Sequence, residues 1–471
     1  MASLPTSVAV PPAAGLSLVP ATELLALLRA RDVSAVELLD AVLRRADAVT
    51  PTVNPFAVRL DERAFAAAAE SDRRIAAGTA RPLEGLPLTA KDSQWLAGVP
   101  TTSGSTAPPV VPTHTVGALQ RVLDAGAVLF GKTTTSEFCY SAISTAPAFG
   151  VTANPHDPGR TAGGSSGGAA AQVAAFAGPV ALGGDGGGSI RIPAAFCGVV
   201  GFKPTFGLVP HEPSVAGWKT LIAMGPLART VADVALLLDV LAGFDPADRH
   251  SLHPVPTAGH PPLRIAVSED LGFAPVDDDV RLAFRAAVDA LADAGVEVVP
   301  AEPGIGSSAA TWATIATAEA RWSNPTPAEL LSPAVRGYLA FGETITADAY
   351  VQAQFHREQI HAVYADLFAR TGAAALFTPT VGCVAFDAAL PYPEQIGGVP
   401  VTEPWRDWVP FLYDANLIGL PACTVPIGTG AHGLPVGGQL LGPRLADRTV
   451  LRIAELLQNT LDPPTAPPTR G

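Results

Sequence analysis

Residues 163–194, GGSSGGAAAQVAAFAGPVALGGDGGGSIRIPA, constrain this chain more than any other stretch. Glycine lifts the steric bar on close backbone approach, so clusters of it mark tight bends or places where backbone meets a ligand. Two such clusters each carry a serine, Ser165 and Ser189, and the alanine-rich segment between them reads as buried. A solvated glycine–serine linker would sit among polar residues instead. Far upstream, Lys91 ends the apolar run LPLTA at 86–90 and is one of only four lysines, with Lys132, Lys203 and Lys219. We expect Lys91, Ser165 and Ser189 to meet in space and perform acyl transfer.

Other chemistries fit the glycines less well. Gly163-x4-Gly168 runs on into Ala169 and Ala170, so the Lys-Ser/Thr pair of a P-loop is missing, and Gly184–Ser189 breaks the dinucleotide fingerprint at its last position. Gly163–Gly167 matches the G-x-S-x-G elbow of α/β-hydrolases. That elbow needs a strand before it and a later Asp and His, whereas HDPGRTA at 156–162 is no strand, and His432, in a Gly-rich loop, remains a conceivable base. Serine with a lysine base remains. A hydroxyl needs a neighbouring base to become a nucleophile, and lysine serves only when burial keeps it neutral. The bland alternative for Lys91 is an ion pair with Asp92. No S-x-x-K occurs, which excludes a β-lactamase-like pairing. Around Ser189, the amides of Gly186, Gly187, Gly188 and Ser189 are expected to converge on one oxygen as an oxyanion hole.

Several function classes are disfavoured by composition. A net charge of −13 argues against nucleic acid and anionic membrane surfaces. No stretch has the length and apolar character of a spanning helix, and the first twenty residues lack the basic start of a signal peptide. Cys139, Cys197, Cys383 and Cys423 are scattered, suggesting neither disulfide frame nor zinc site. A cytoplasmic protein without metal or cofactor is expected, acting on a small molecule as monomer or homodimer.

Along the chain, residues 20–50 predict two amphipathic helices, the second opened by the capping box at Ser34–Glu37. A helix over 61–77 and strand 86–90 follow, then helix, Gly126 and strand 127–130. Residues 169–177 predict a buried helix, 180–182 a short strand, and 230–241 a helix. Further pairs include strand 264–267 with helix 277–292 and strand 296–299. Residues 301–370 read as mainly helical, strands are expected at 375–377 and 423–426, and a helix closes 444–458. Residues 245–262 are the best boundary candidate, yet helices and strands alternate on both sides of it, so one α/β domain over 1–471 is expected.

At these residues the chain resembles the amidase signature family. The resemblance covers GLPLTAKDSQWLAGVPTTSGS at 85–105, residues 154–205 through CGVVGFKPT, GPLARTVAD at 225–233, NLIGLPA at 416–422 and GLPVG at 433–437. It implies a twisted mixed sheet covered by helices on both faces, with N-terminal helices in 1–60, the signature core in 61–240 and a variable substrate-lining region in 300–415. It implies a Ser–cis-Ser–Lys triad: Ser189 as nucleophile, Ser165 as bridging serine behind a cis peptide bond from Gly164, and Lys91 as base. Asp185 and Arg191 are expected to form a buried pair that shapes the loop.

Departures from the family pattern bear on substrate. Gly184 and Gly186 stand where larger residues are usual, which predicts a roomier or more mobile oxyanion hole. Ser93-Gln94-Trp95 places an aromatic after Lys91-Asp92. Ile192 stands where the tRNA-dependent amidotransferase subunit carries Gln, so a glutamine-transferring role is not expected. Trp312, Trp322, Trp405, Trp408 and Tyr413 enrich the variable region in aromatics. The candidates for touching substrate are Trp95, Gly164, Ile192 and Trp312. The expected activity is hydrolysis of neutral apolar or aromatic amides, anilides included, with carbamates (urethane bonds) and esters open to the same chemistry. The alternatives are an esterase or urethanase, or an amidotransferase-type subunit.

Overall fold

The computed structural model describes residues 13–211, 218–254 and 263–461. The leader reading of residues 1–12 and the boundary residues 255–262 lie outside them. Eleven strands form one sheet: β1 (Phe56–Arg59), β2 (Pro87–Lys91), β3 (Val128–Thr133), β4 (Val180–Asp185), β5 (Val200–Lys203), β6 (Ala223–Ala228), β7 (Arg264–Val267), β8 (Glu297–Pro300), β9 (Ala375–Pro379), β10 (Ala422–Thr429) and β11 (Pro435–Leu441). Their order is β1-β3-β2-β4-β6-β5-β10-β11-β9-β7-β8. Parallel pairs β3–β2–β4 and β9–β7–β8 flank a central antiparallel run, giving the expected mixed α/β sheet with helices on its faces. Among the described residues no helix is long and apolar enough to cross a membrane.

Local signals explain most elements. The helix Ala35–Val53 starts at Ser34, whose hydroxyl accepts from the Glu37 amide while the Glu37 carboxylate accepts from the Ser34 amide. The helix Asp61–Ala76 stops before Gly78, which takes a left-handed φ of 70°. Four strands of the sheet escaped the sequence reading: β1 is a half-buried edge strand of four residues, and β5, β6 and β11 are short, buried throughout and contain Gly or Pro, so they show no alternation. β4 runs three residues past its expected end, to Asp185.

Small side chains decide where the central helix packs. The helix Gly167–Ala174 is buried along its whole length, and its alanines form a close-packed cluster with Ala46, Val49 and Val53 of the helix Ala35–Val53 and Ala181 of β4. A Cβ on Gly168 would lie 2.6 Å from the Pro55 carbonyl oxygen, so only glycine permits this approach. The helix thereby brings Ser165 to the sheet.

Candidate active site

The carboxyl ends of the neighbouring parallel strands β2 and β4 open on the same edge, where ligands commonly bind in open α/β sheets. β2 delivers Lys91 there and β4 delivers the loop at 186–189. Lys91 Nζ donates to Ser165 Oγ at 2.7 Å, and the two residues are 1% and 0% exposed. The alternative pairing with Asp92 does not occur. Asp92 pairs with Lys132 at 2.8 Å, both side chains fully buried, and accepts from the Thr102 hydroxyl and the Ser103 amide. Burial lowers the Lys91 pKa from its ordinary value, opposed by the neighbouring Cys139 thiol and by Asp185. A buried lysine without a carboxylate partner of its own is suited to be neutral.

The Gly164–Ser165 peptide is cis, as the resemblance implied. The Ser166 amide donates to the Ser189 carbonyl at 3.0 Å, which locks the two glycine clusters together. Ser166 itself is occupied: its hydroxyl donates to the Gly184 carbonyl. Ser189, 7% exposed, reaches the cavity that Ser165 does not. His432 lies exposed in the turn between β10 and β11 and does not line that cavity, so nothing supports the elbow reading.

Asp185 and Arg191 form the buried pair at 2.9 Å, with no exposure on either side chain. Arg191 also donates to Gln439, the Leu412 carbonyl and Asn416. Burial would raise the Asp185 pKa, but the guanidinium and amide donors hold it well below the carboxylate range. One expected oxyanion donor is lost here. The Gly188 amide donates to Asp185 Oδ1 at 2.7 Å, because the loop folds back onto the carboxylate that organises it. Gly186, Gly187 and Ser189 are left as candidate donors.

A narrow cavity of about 20 Å³ opens on Ser189, lined by Cys139, Tyr140, Ser141, Ala142, Gly187, Ile192, Trp218, Trp312, Trp405, Val409 and Tyr413. Ile192 and Trp312 are thus on its wall. Trp95 is not: its ring packs edge-on against His114, 5.3 Å between centroids. Nor is Gly164, whose position is fixed by the Ile143 backbone, 2.4 Å from where a Cβ would sit. Trp405 and Tyr413, from the aromatic-rich variable region, reach the wall as well, whereas Tyr140 and Trp218 were missed because they arrive from separate segments and belong to no motif. Among the described residues no cluster of three or more His, Cys, Asp or Glu is placed to hold a metal.

Gly184 and Gly186 do not make the site roomier. The Trp218 ring fills the space beside Gly186, its Cε3 2.0 Å from the position of a Cβ, and Met224 packs against Gly184 at 3.3 Å. A small residue in the loop is matched by a large one across from it, and that missing Cβ was the one signal pointing to Trp218. Trp312 braces the same loop, its indole N–H donating to the Gly186 carbonyl at 2.7 Å. Gly186→Ala is therefore expected to cost about 1–3 kcal/mol of stability through overpacking. Partial recovery in the double variant with Trp218→Leu, read from urea midpoints, checks this cause. An unchanged midpoint in Gly186→Ala contradicts it.

Comparison with known proteins gives a consistent relationship. A family model described as Amidase matches residues 37–451. The chain is 37% identical to the A subunit of glutamyl-tRNA(Gln) amidotransferase from Roseiflexus sp. (strain RS-1), over 92% of this chain and 94% of that protein. Among solved structures it resembles a bacterial aryl acylamidase of the amidase signature enzymes, with a TM-score of 0.87, 26% identity, and 94% and 96% of the two chains covered. It also resembles the A subunit of glutamyl-tRNA(Gln) amidotransferase from Thermotoga maritima, with a TM-score of 0.77, 29% identity, and 95% and 96% covered.

Proposed function

This chain belongs to the amidase signature family, whose chemistry is that of an amidase-type C–N hydrolase or amidotransferase, and we propose that it cleaves carboxamides through an acyl-enzyme on Ser189. The observation that carries this reading is the buried Lys91–Ser165 hydrogen bond beside a cavity that Ser189 lines. In the proposed relay, neutral Lys91 takes a proton from Ser165 as Ser165 takes one from Ser189. Ser189 Oγ attacks the carbonyl carbon, and the amides of Gly186, Gly187 and Ser189 hold the oxyanion. Ser165 protonates the departing amine, and water releases the acyl group by the reverse sequence.

The aromatic cavity wall supports neutral apolar or aromatic amides as substrates, anilides among them, and carbamates and esters offer the same tetrahedral chemistry. A lone small-molecule enzyme, monomeric or homodimeric, fits this reading, with residues 300–415 supplying Trp312, Trp405, Val409 and Tyr413 to the site. The curated relatives speak more directly for a second reading, an amidotransferase-type subunit that takes its nitrogen from glutamine and works with partner chains. The sequence-based expectation against that role loses force accordingly. Ile192 and the tryptophans are poor partners for the charged backbone groups of glutamine, whose burial unpaired is costly.

Steady-state turnover of acetanilides, aliphatic amides, carbamates, esters and glutamine separates these readings. On the first, kcat/KM for an anilide exceeds that for glutamine by on the order of 100-fold. The reverse order supports the amidotransferase reading.

The pH profile tests the base. Because burial lowers the Lys91 pKa, the neutral form needed for catalysis gains population as pH rises through that lowered value. kcat/KM is expected to climb from acid toward alkaline pH. A maximum near pH 5 would refute lysine as the base.

A further inference from the structure

The cavity beside Ser189 is unequal on its two sides. A carbonyl carbon attacked by Ser189 Oγ presents three other substituents. Its oxygen turns to the amides of the oxyanion loop, and its nitrogen must turn to Ser165, which protonates it. The relay side is marked by Lys91, which bonds to Ser165 and neighbours the Cys139 thiol. Cys139, Ser141 and Ala142 on that side are only half-buried, so the cavity opens there. The acyl group is left to face the remaining wall.

That wall is closed and braced. Trp218, Trp312, Val409 and Tyr413 line it, and all are buried. The Trp312 ring abuts Gly187, its Cζ2 2.7 Å from where a Cβ would sit, and its indole N–H holds the Gly186 carbonyl. Trp218 and Tyr413 flank the same ring at 5.5 and 4.7 Å between centroids, and the Tyr413 hydroxyl donates to the Trp405 carbonyl. The free space of about 20 Å³ holds about one group the size of water or methyl. A longer acyl chain must push these rings off the oxyanion loop, which a packed wall resists as it resists any overpacking. We propose that this wall is an acyl-size filter: the protein accepts formyl, acetyl and comparably small acyl groups and leaves the amine half of its substrate unrestricted in bulk. The proposal rests on the amide-cleaving reading and narrows its substrates to short-chain acyl amides, with any aromatic ring carried on the amine.

Esters test the filter separately from amide cleavage, with product release read as kcat/KM and the Ser189→Ala rate subtracted. From 4-nitrophenyl acetate to 4-nitrophenyl butyrate, kcat/KM is expected to fall on the order of 100-fold. Across phenyl, 2-naphthyl and 4-biphenylyl acetate it is expected to vary less than about 10-fold. Val409→Ala takes two methyl groups from the wall and is expected to raise the butyrate-to-acetate ratio about 10-fold, with its urea midpoint reporting that it folds. Butyrate cleaved as fast as acetate, a ratio unmoved in folded Val409→Ala, a steep loss with leaving-group bulk, or no release that depends on Ser189 overturns the filter. If the ester pattern holds while no acetanilide is hydrolysed, the filter stands and the amide-cleaving reading fails. If butyranilide is hydrolysed as fast as acetanilide, that reading stands and the filter fails.

Discussion

Ser189→Ala is expected to lower kcat/KM toward any amide the protein turns over by on the order of 10⁵-fold or more, while leaving substrate binding nearly unchanged. The magnitude follows from losing the bond-forming atom, for which Ser165 is not placed to substitute. Ser165 is fully buried, with its hydroxyl engaged by Lys91. Lys91→Met is expected to cost a similar factor, because the relay loses its only base. Adding Lys91→Met to Ser189→Ala should cost little more, since groups that act as one unit do not contribute additively. Single-turnover kinetics with calorimetric binding constants check both statements. A double variant whose loss equals the product of the single losses contradicts a shared relay.

Asp185→Asn has the largest expected effect on stability. The substitution leaves the Arg191 guanidinium buried without its counter-charge, and it weakens the acceptor for the Gly188 and Ile190 amides. Breaking one side of a buried pair costs about 3–5 kcal/mol, because the remaining charge stays desolvated. The exposed pair Arg73–Glu70, with 69% and 45% exposure, supplies the contrast, since Glu70→Gln is expected to cost under about 1 kcal/mol. Urea denaturation of the three proteins measures the difference. Activity should fall with Asp185→Asn even where the protein remains folded, since Asp185 shapes the loop that carries Ser189. A stability loss no larger than that of Glu70→Gln contradicts the account.

Much of the fold was legible because its signals are local. Ser34 and Glu37 announce their helix, Gly78 its neighbour's end, and the run before Lys91 a buried strand. β5, β6 and β11 were hidden because strands buried on both sides lose the alternation that marks a strand, and their Gly and Pro residues suggest turns. At the site, Lys91 was readable as one of only four lysines at the end of an apolar run, and Ser165 and Ser189 as serines set among glycines. What surrounds them depends on tertiary contact. Nothing near Asp92 in sequence says that Lys132 claims it, and nothing in the loop says that Asp185 takes the Gly188 amide. The expected breadth around Gly186 failed for the same reason, since its filler, Trp218, comes from another segment. Trp95 was read as near the site from its closeness to Lys91 in sequence, but the chain turns it toward His114.

The relay through Ser189 is tested most directly by intact-mass spectrometry after treatment with a fluorophosphonate, followed by mapping of the modified residue. The account expects one adduct on Ser189, absent from Ser189→Ala and formed far more slowly in Lys91→Met. An adduct on Ser165, together with loss of activity in His432→Ala, contradicts it.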